Sequence, residues 1–468
     1  MERQKTVDKT EHNRNRELID TLITGALVLT MDKNHRILND GAVAVKEGFI
    51  VDVGPGSELN ARYQAKRLVD SRGKLVMPGL INAHTHAPMN IFRGFADDLP
   101  LDTWLFDYIF PLEAQFVNAN NVRLGTRLAV AEMLRSGTTT FNDMYFHTDV
   151  IAEEVDRAGI RAVLTHVLLD KPAGSGPGLK ENLNIMEEVI QQYRTHKRIG
   201  MSFSVHAPYS ARPPVYRKGK ELADKYNTQL HTHLSETRWE VETIQEKYGR
   251  SPVQHLDNIG VLDSNVVAAH AIHLTHQDME VLAKRQVGVA HNPQCNMKLA
   301  NGTAPIPTLL NMGVKVGIGT DGVASNNDLD LFDEIRSAAL AQKLVSGDPT
   351  VMDSRTVLEM VTIGGARLLG MEDRIGSLES GKEADLIIID LSKPHAWPHF
   401  DIYSLIVYSL RGSDVERVMV QGRMLMEDNQ LQTIDTSALY DDVMELRDQI
   451  RRWWTIHCQA RSRGKTTM

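Results

Sequence analysis

At 468 residues, 42% of them hydrophobic and 24% charged, the chain is long enough for one large catalytic domain plus a smaller companion, with a sizeable core. Its net charge of −8 gives no general attraction to nucleic acid, and no apolar run approaches the length that spans a bilayer. Two cysteines far apart in sequence, Cys295 and Cys458, argue against a disulfide scaffold and for a reducing compartment.

Met1 to Glu17 is charged and lacks the apolar stretch of a secretory signal, so a cytoplasmic protein with a disordered tail over 1–18 is expected. Leu22 to Met31, and Gly41 to Val53 with its turn at Lys46-Glu47-Gly48, read as strands. A similar pattern returns at Ala384 to Leu391 and at Val415 to Met426. The two ends together predict a small β-sandwich domain over 19–77 and 378–435. A helix follows at 436–460, with Leu439, Val443, Leu446 and Ile450 on one face, and a basic tail from Arg461 is expected to be disordered.

Between them, 78–377 alternates short apolar runs with amphipathic ones. The apolar runs end at Ala83, Phe141, Leu169, Val205, Leu230, Ala269, Ala290 and Gly319. Helical patterns such as Val122 to Ser136, Leu179 to Tyr193 and Glu236 to Tyr248 lie between them. Eight such units predict an α/β fold, a (β/α)8 TIM barrel. Pro172 to Gly178 reads as a surface loop.

Chemistry-bearing residues gather at the strand ends: His84-Thr85-His86, Asn142-Asp143, His206, His231-Thr232-His233, His270, His291 and Thr320-Asp321. Barrel active sites lie at the C-terminal ends of the strands. One histidine there is more often a satisfied core residue; five or more at matching ends are not coincidence. His84 and His86, two apart on an extended strand, point to the same side. With His233 and Asp321 they complete a nitrogen-and-oxygen site suited to zinc or iron.

The run Met77-Pro78-Gly79-Leu80-Ile81-Asn82-Ala83-His84-Thr85-His86 resembles the first barrel strand of the amidohydrolase superfamily. His231 to Glu236, Ala269-His270, Gly319 to Gly322 and Ile375 to Leu386 match it in order. Within the superfamily, His86 to Met89, Trp104 to Phe106, Asp143 to His147, His291 to Pro293 and Thr320 to Asn327 are most similar to methylthioadenosine/S-adenosylhomocysteine deaminases. The resemblance implies metal ligands His84, His86, His233 and Asp321. Many relatives bridge two metals with a carboxylated lysine after the fourth strand; here Met201 to His206 ends without lysine, so one divalent metal, zinc with iron as the alternative, is expected.

The implied activity is hydrolytic removal of ammonia from the adenine ring of adenosine-type nucleosides. The alternative is another aminated heterocycle, such as an s-triazine or guanine. Asp321 takes a proton from the metal-activated water, His270 orients that water, and Glu236 protonates the ring nitrogen. Glu236 also has a bland reading as a carboxylate at a helix N-terminus. By resemblance Glu113 binds ribose hydroxyls, His206 contacts substrate and Trp104 forms a pocket wall, beside Glu236 and Asp321. Relatives that favour S-adenosylhomocysteine present arginines where this chain has His166 and Gly178, with Lys171 and Lys180 as partial substitutes. Compact, uncharged 5′ groups are therefore expected. Cys295 is expected as a small pocket or core residue, and the Gly317 to Gly322 string as an accidental likeness to a dinucleotide motif. The partner is a small-molecule substrate, with no nucleic acid and no membrane; a homo-oligomer is left open.

Overall fold

The computed structural model describes residues 16–170 and 179–465, with side chains as far as residue 458. The expected tail up to residue 15 and the expected loop Pro172–Gly178, with Lys171 and Gly178, lie outside the described residues.

The first five strands are β1 (Glu17–Leu29), β2 (Ile37–Lys46), β3 (Phe49–Pro55), β4 (Tyr63–Asp70) and β5 (Lys74–Pro78). Eight more follow: β6 (Leu80–Thr85), β7 (Thr138–Tyr145), β8 (Arg161–Leu168), β9 (Ile199–Val205), β10 (Leu230–Leu234), β11 (Val266–His270), β12 (Gly288–His291) and β13 (Val316–Ile318). The chain ends with β14 (Leu386–Asp390), β15 (Val415–Val420), β16 (Arg423–Glu427) and β17 (Gln430–Leu431).

The end strands form one nine-stranded sheet, ordered β17-β16-β15-β14-β5-β1-β2-β3 with β4 also paired to β1. The two layers expected of a sandwich are thus joined into one continuous, mostly antiparallel sheet. Ile23, Val43, Val76, Leu386 and Met419, from five of its strands, share one apolar cluster. β1 starts at Glu17, inside the segment expected as a tail, because Glu17 and Leu18 pair with Tyr63 and Gln64. The join between the two ends is β5 against β14, with Met77 opposite Ile387.

β6 to β13 make an eight-stranded sheet of neighbours in sequence order, each pair parallel. Their side chains are buried almost without exception, as strands covered on both faces must be. The ring closes where β13 meets β6. Asp321 N–H donates to the His84 carbonyl at 3.0 Å, and Thr320 N–H to Asn82 Oδ1 at 3.1 Å. Gly319 permits this approach, since a Cβ there would lie 2.6 Å from the His84 backbone.

Arg161, at the base of β8, ties the two sheets together. Its guanidinium, 1% exposed, donates to Asp385 at 2.8 and 3.1 Å and to Glu383 at 2.6 Å. The last helix runs Thr436–Lys465, beyond the expected limit and into the segment expected to be disordered, with no proline to stop it. Leu439, Leu446 and Ile450 are buried. Trp454 meets Phe95 edge-on at 5.0 Å and stacks on Tyr108 at 5.3 Å, while Trp453 meets Phe116 at 5.5 Å. The helix therefore braces the segment between β6 and β7 that walls the barrel mouth. Among the described residues, no helix is long and apolar enough to cross a membrane.

Candidate active site and metal centre

Four side chains converge at the seam where β13 meets β6. His84, next to last in β6, is fully buried, His86 follows the strand, His233 comes from β10, and Asp321 lies just past β13. One donor atom from each lies within 4.8 Å of all the others. Asp321 Oδ1 is 3.4 Å from His84 Nε2 and 3.2 Å from His86 Nε2, and His86 Nε2 is 3.3 Å from His233 Nε2. Tetrahedral coordination at about 2.0–2.1 Å separates its donors by about 3.3–3.4 Å. The donor set and its spacing therefore fit a small divalent cation, and both His84 ring nitrogens are buried without a hydrogen-bond partner.

The surroundings set the imidazoles for this role. His86 Nδ1 donates to the Met144 carbonyl at 2.6 Å and His233 Nδ1 to the His206 carbonyl at 2.7 Å, which turns each Nε2 lone pair into the cup. Not every strand-end histidine joins. His231 is buried beneath the cup against Asn142, and His291 is buried with neither ring nitrogen bonded, so both take the core reading. Asp143 also stays outside, accepting the Ala87 N–H at 2.6 Å.

His270 and Glu236 face the open side of the cup. His270 Nε2 is 3.8 Å from Glu236 Oε2 and 3.9 Å from Asp321 Oδ2, while its Nδ1 pairs with Asn296 Oδ1 at 2.9 Å. His270 and Asp321 both have left-handed backbone, with φ of +73° and +62°. Such strain costs on the order of 1–3 kcal/mol and clusters at functional sites. Burial pushes the Glu236 carboxyl above its ordinary range. The helix after β10 starts at Arg238 and is capped by Thr237, and Glu240, not Glu236, accepts the nearby Ser235 and Glu236 N–H groups. Glu236 thus leaves the capping role to its neighbours and points inward.

A cavity opens above the cup. The structure brings Trp104, Glu113, His206, Glu236, His270 and Asp321 together in its wall. Trp104 sits in a π-helical turn, Trp104–Ile109, and Glu113 in the helix Phe110–Phe116. Burial holds Glu113 up to about 7, partly offset by the Tyr145 hydroxyl. His206, with Nδ1 against Ser210 Oγ at 2.8 Å, is driven down to about 3 by burial and neighbouring rings, so it is neutral. At the mouth, Trp239 packs edge-on against Tyr209 at 5.0 Å and Phe106 at 6.1 Å.

Beyond Glu113 and Phe146 lies a second chamber lined by Asp149, Glu188, His147, His166 and Asn182, with no lysine or arginine among its described lining residues. His166 pairs with Thr148 at 3.3 Å and with Asn182 at 3.0 Å, and burial holds it down to about 4.

Sequence reasoning missed several contacts. Cys295 Sγ–H donates to Asp321 Oδ2 at 2.8 Å and Ser325 Oγ to the same oxygen at 3.2 Å. Asn301 Nδ2 donates to Glu236 Oε1 at 3.0 Å. The one signal in the sequence was the polar run that starts at His291-Asn292-Pro293.

Residues 75–425 match the amidohydrolase family. A 5-methylthioadenosine/S-adenosylhomocysteine deaminase of Syntrophobacter fumaroxidans is 46% identical over 91% of this chain and 96% of its own length. A 5′-deoxyadenosine deaminase of Methanosarcina acetivorans is 41% identical over 92% of this chain and 99% of its own. Among solved structures, an adenosine deaminase of Xanthomonas campestris with bound zinc superposes with a TM-score of 0.92, at 39% identity over 93% of this chain and all of that one.

Proposed function

The chain belongs to the amidohydrolase family, and on that footing we propose that it is a metal-dependent aminohydrolase of adenosine-type nucleosides. It releases ammonia from the adenine ring of methylthioadenosine, 5′-deoxyadenosine and adenosine, with S-adenosylhomocysteine disfavoured. The observation that carries this is the meeting of Glu236, His270 and Asp321 at one point beside the four-donor cup. The names of the similar proteins support the adenine ring as the target.

In this reading His84, His86, His233 and Asp321 would hold one zinc ion, which would supply a water made nucleophilic near neutral pH. Asp321 Oδ1 faces the other donors while Cys295 and Ser325 hold Oδ2, and this carboxylate would take the proton that water gives up. His270 Nε2, without a partner of its own, orients that water. Glu236, whose carboxyl burial holds above its ordinary range, would donate to the ring nitrogen beside the attacked carbon, which makes that carbon more electrophilic. The proton held by Asp321 would then pass to the departing amine, and the hydroxyl proton left on the new carbonyl oxygen would return to Glu236. Trp104 walls the pocket, His206 contacts substrate as a neutral imidazole, and Glu113 accepts ribose hydroxyls.

The second chamber supports the preference for compact 5′ groups. A carboxylate tail is best held by a cation offering two parallel hydrogen bonds, whereas Asp149 and Glu188 oppose it and His166 is neutral. Domain limits of 78–377 for the barrel, and of 19–77 with 378–435 for the end sheet, belong to the same proposal, as does the C-terminal helix from 436. The unpaired cysteines Cys295 and Cys458 suit a reducing cytoplasm.

The test is ammonia release from adenosine, 5′-deoxyadenosine, methylthioadenosine, S-adenosylhomocysteine, guanine and melamine. Turnover of the adenosine-type compounds is expected. Activity confined to guanine or melamine would replace this reading with the alternative heterocycle.

A further inference from the structure

The stretch after β12 touches all three of the groups assigned to water and proton handling: Asp321, His270 and Glu236. Cys295 and Asn296 lie on the helix Pro293–Lys298, the first against Asp321 Oδ2 and the second against His270 Nδ1. Five residues on, Asn301 reaches Glu236. Its backbone is pinned where the helix unwinds, with Asn301 N–H donating to the Asn296 carbonyl at 2.9 Å and Ala300 N–H to that of Met297 at 3.0 Å. The side chain therefore starts from a fixed point.

The two oxygens of Glu236 have different surroundings. Oε1 accepts the Asn301 amide at 3.0 Å, and the structure gives it no other hydrogen-bond partner among the described residues. Oε2 faces His270 Nε2 across 3.8 Å, on the cavity side. In a neutral carboxyl group the carbonyl oxygen is the better acceptor, so a fixed N–H donor on one oxygen leaves the acidic proton on the other. Once the proton has gone, the same N–H becomes a charge-assisted hydrogen bond to the carboxylate.

We propose that Asn301 is a positioning residue for Glu236: by donating to Oε1 it places the transferable proton on Oε2, aimed at the substrate ring. The inference rests on the reading of Glu236 as the acid. Its consequence is that Asn301 acts on the rate of the chemical step and not on substrate affinity or metal retention.

The experiment compares Asn301→Ala, Asn301→Asp, Glu236→Gln and the double variant Glu236→Gln/Asn301→Ala in the full-length, metal-loaded chain. Steady-state kinetics on 5′-deoxyadenosine are measured beside metal content and thermal midpoint. Losing a hydrogen bond to a charged group corresponds to roughly ten- to a hundredfold, so Asn301→Ala should lower kcat by that factor with KM, metal and midpoint little changed. Asn301→Asp keeps the shape but turns an acceptor toward Oε1; it should lose at least as much, and it carries the test should alanine disturb the turn. The double variant should be no slower than Glu236→Gln alone, because Asn301 works only through that acid. Full kcat in both Asn301 variants, or an additive loss in the double variant, overturns the inference while leaving the acid in place. Near-normal turnover in Glu236→Gln overturns the acid reading, and this inference with it.

Discussion

Tyr145 Oη donates a hydrogen bond to Glu113 Oε1 at 2.8 Å, with both side chains buried in the wall of the cavity. Burial raises the Glu113 carboxyl to about 7, and the Tyr145 bond pulls it part of the way down. Only the ionised form accepts two ribose hydroxyls without offering a proton of its own. For nucleoside substrates, kcat/KM should therefore fall as pH drops through about 7. Tyr145→Phe removes a contact that lowers this pKa, so the acid limb should move to higher pH. A limb that stays put or moves down would show that Glu113 does not bind the sugar.

Metal removal gives the most direct check of the cup. Dialysis against a chelator should abolish turnover, and zinc or ferrous iron should restore it. Elemental analysis of active protein should give close to one transition-metal ion per chain, since the described residues hold one four-donor cluster of this kind. Full activity in metal-free protein would refute the site.

The second chamber predicts an order of substrates. Methylthioadenosine and 5′-deoxyadenosine should exceed S-adenosylhomocysteine in kcat/KM by roughly ten- to a hundredfold, the worth of a missing charge-assisted bond. Competition assays with all three in one vessel measure this ratio directly. A ratio that favours S-adenosylhomocysteine would mean that a cation outside the described lining holds its carboxylate.

Arg161 is expected to matter for stability and not for chemistry. Removing one partner of a buried ion pair costs about 3–5 kcal/mol, because the other charge is left uncompensated. Arg161→Met strands Asp385 in this way, while Glu383 keeps Arg374. Denaturant unfolding should show that loss, while kcat of the folded fraction stays close to that of the parent. A change below about 1 kcal/mol would mean that the carboxylates find other partners.

How much of this was legible in the sequence follows from the reach of each interaction. The eight barrel strands could be read because each is a short apolar run ending in a polar residue, and His84 with His86 because a spacing of two has a fixed meaning on a strand. The continuity of the end sheet was not legible, since pairings such as Met77 with Ile387 join residues that no local pattern relates. The same holds for Asn301, whose partner Glu236 is 65 residues away, and for Cys295 against Asp321, 26 apart. A side-chain amide looks alike in a turn and beside a buried carboxyl group. Glu236 itself was legible through its spacing from His233, but its release from capping required Thr237 and Glu240 to be seen doing that work.

The pairing of β5 with β14 has a consequence for how the molecule comes into being. β5 runs directly into β6, the strand that delivers His84, and pairs early with β1, yet its second partner emerges from the ribosome some three hundred residues later. One edge of β5 must wait unpaired until almost the whole chain has been synthesised. Pairings of such long range form slowly and leave aggregation-prone surface open in the meantime. Production of this protein should therefore respond to chaperone supply and to slower translation at low temperature. Fragments that stop before Leu386 should accumulate as insoluble material, however complete their cup of histidines.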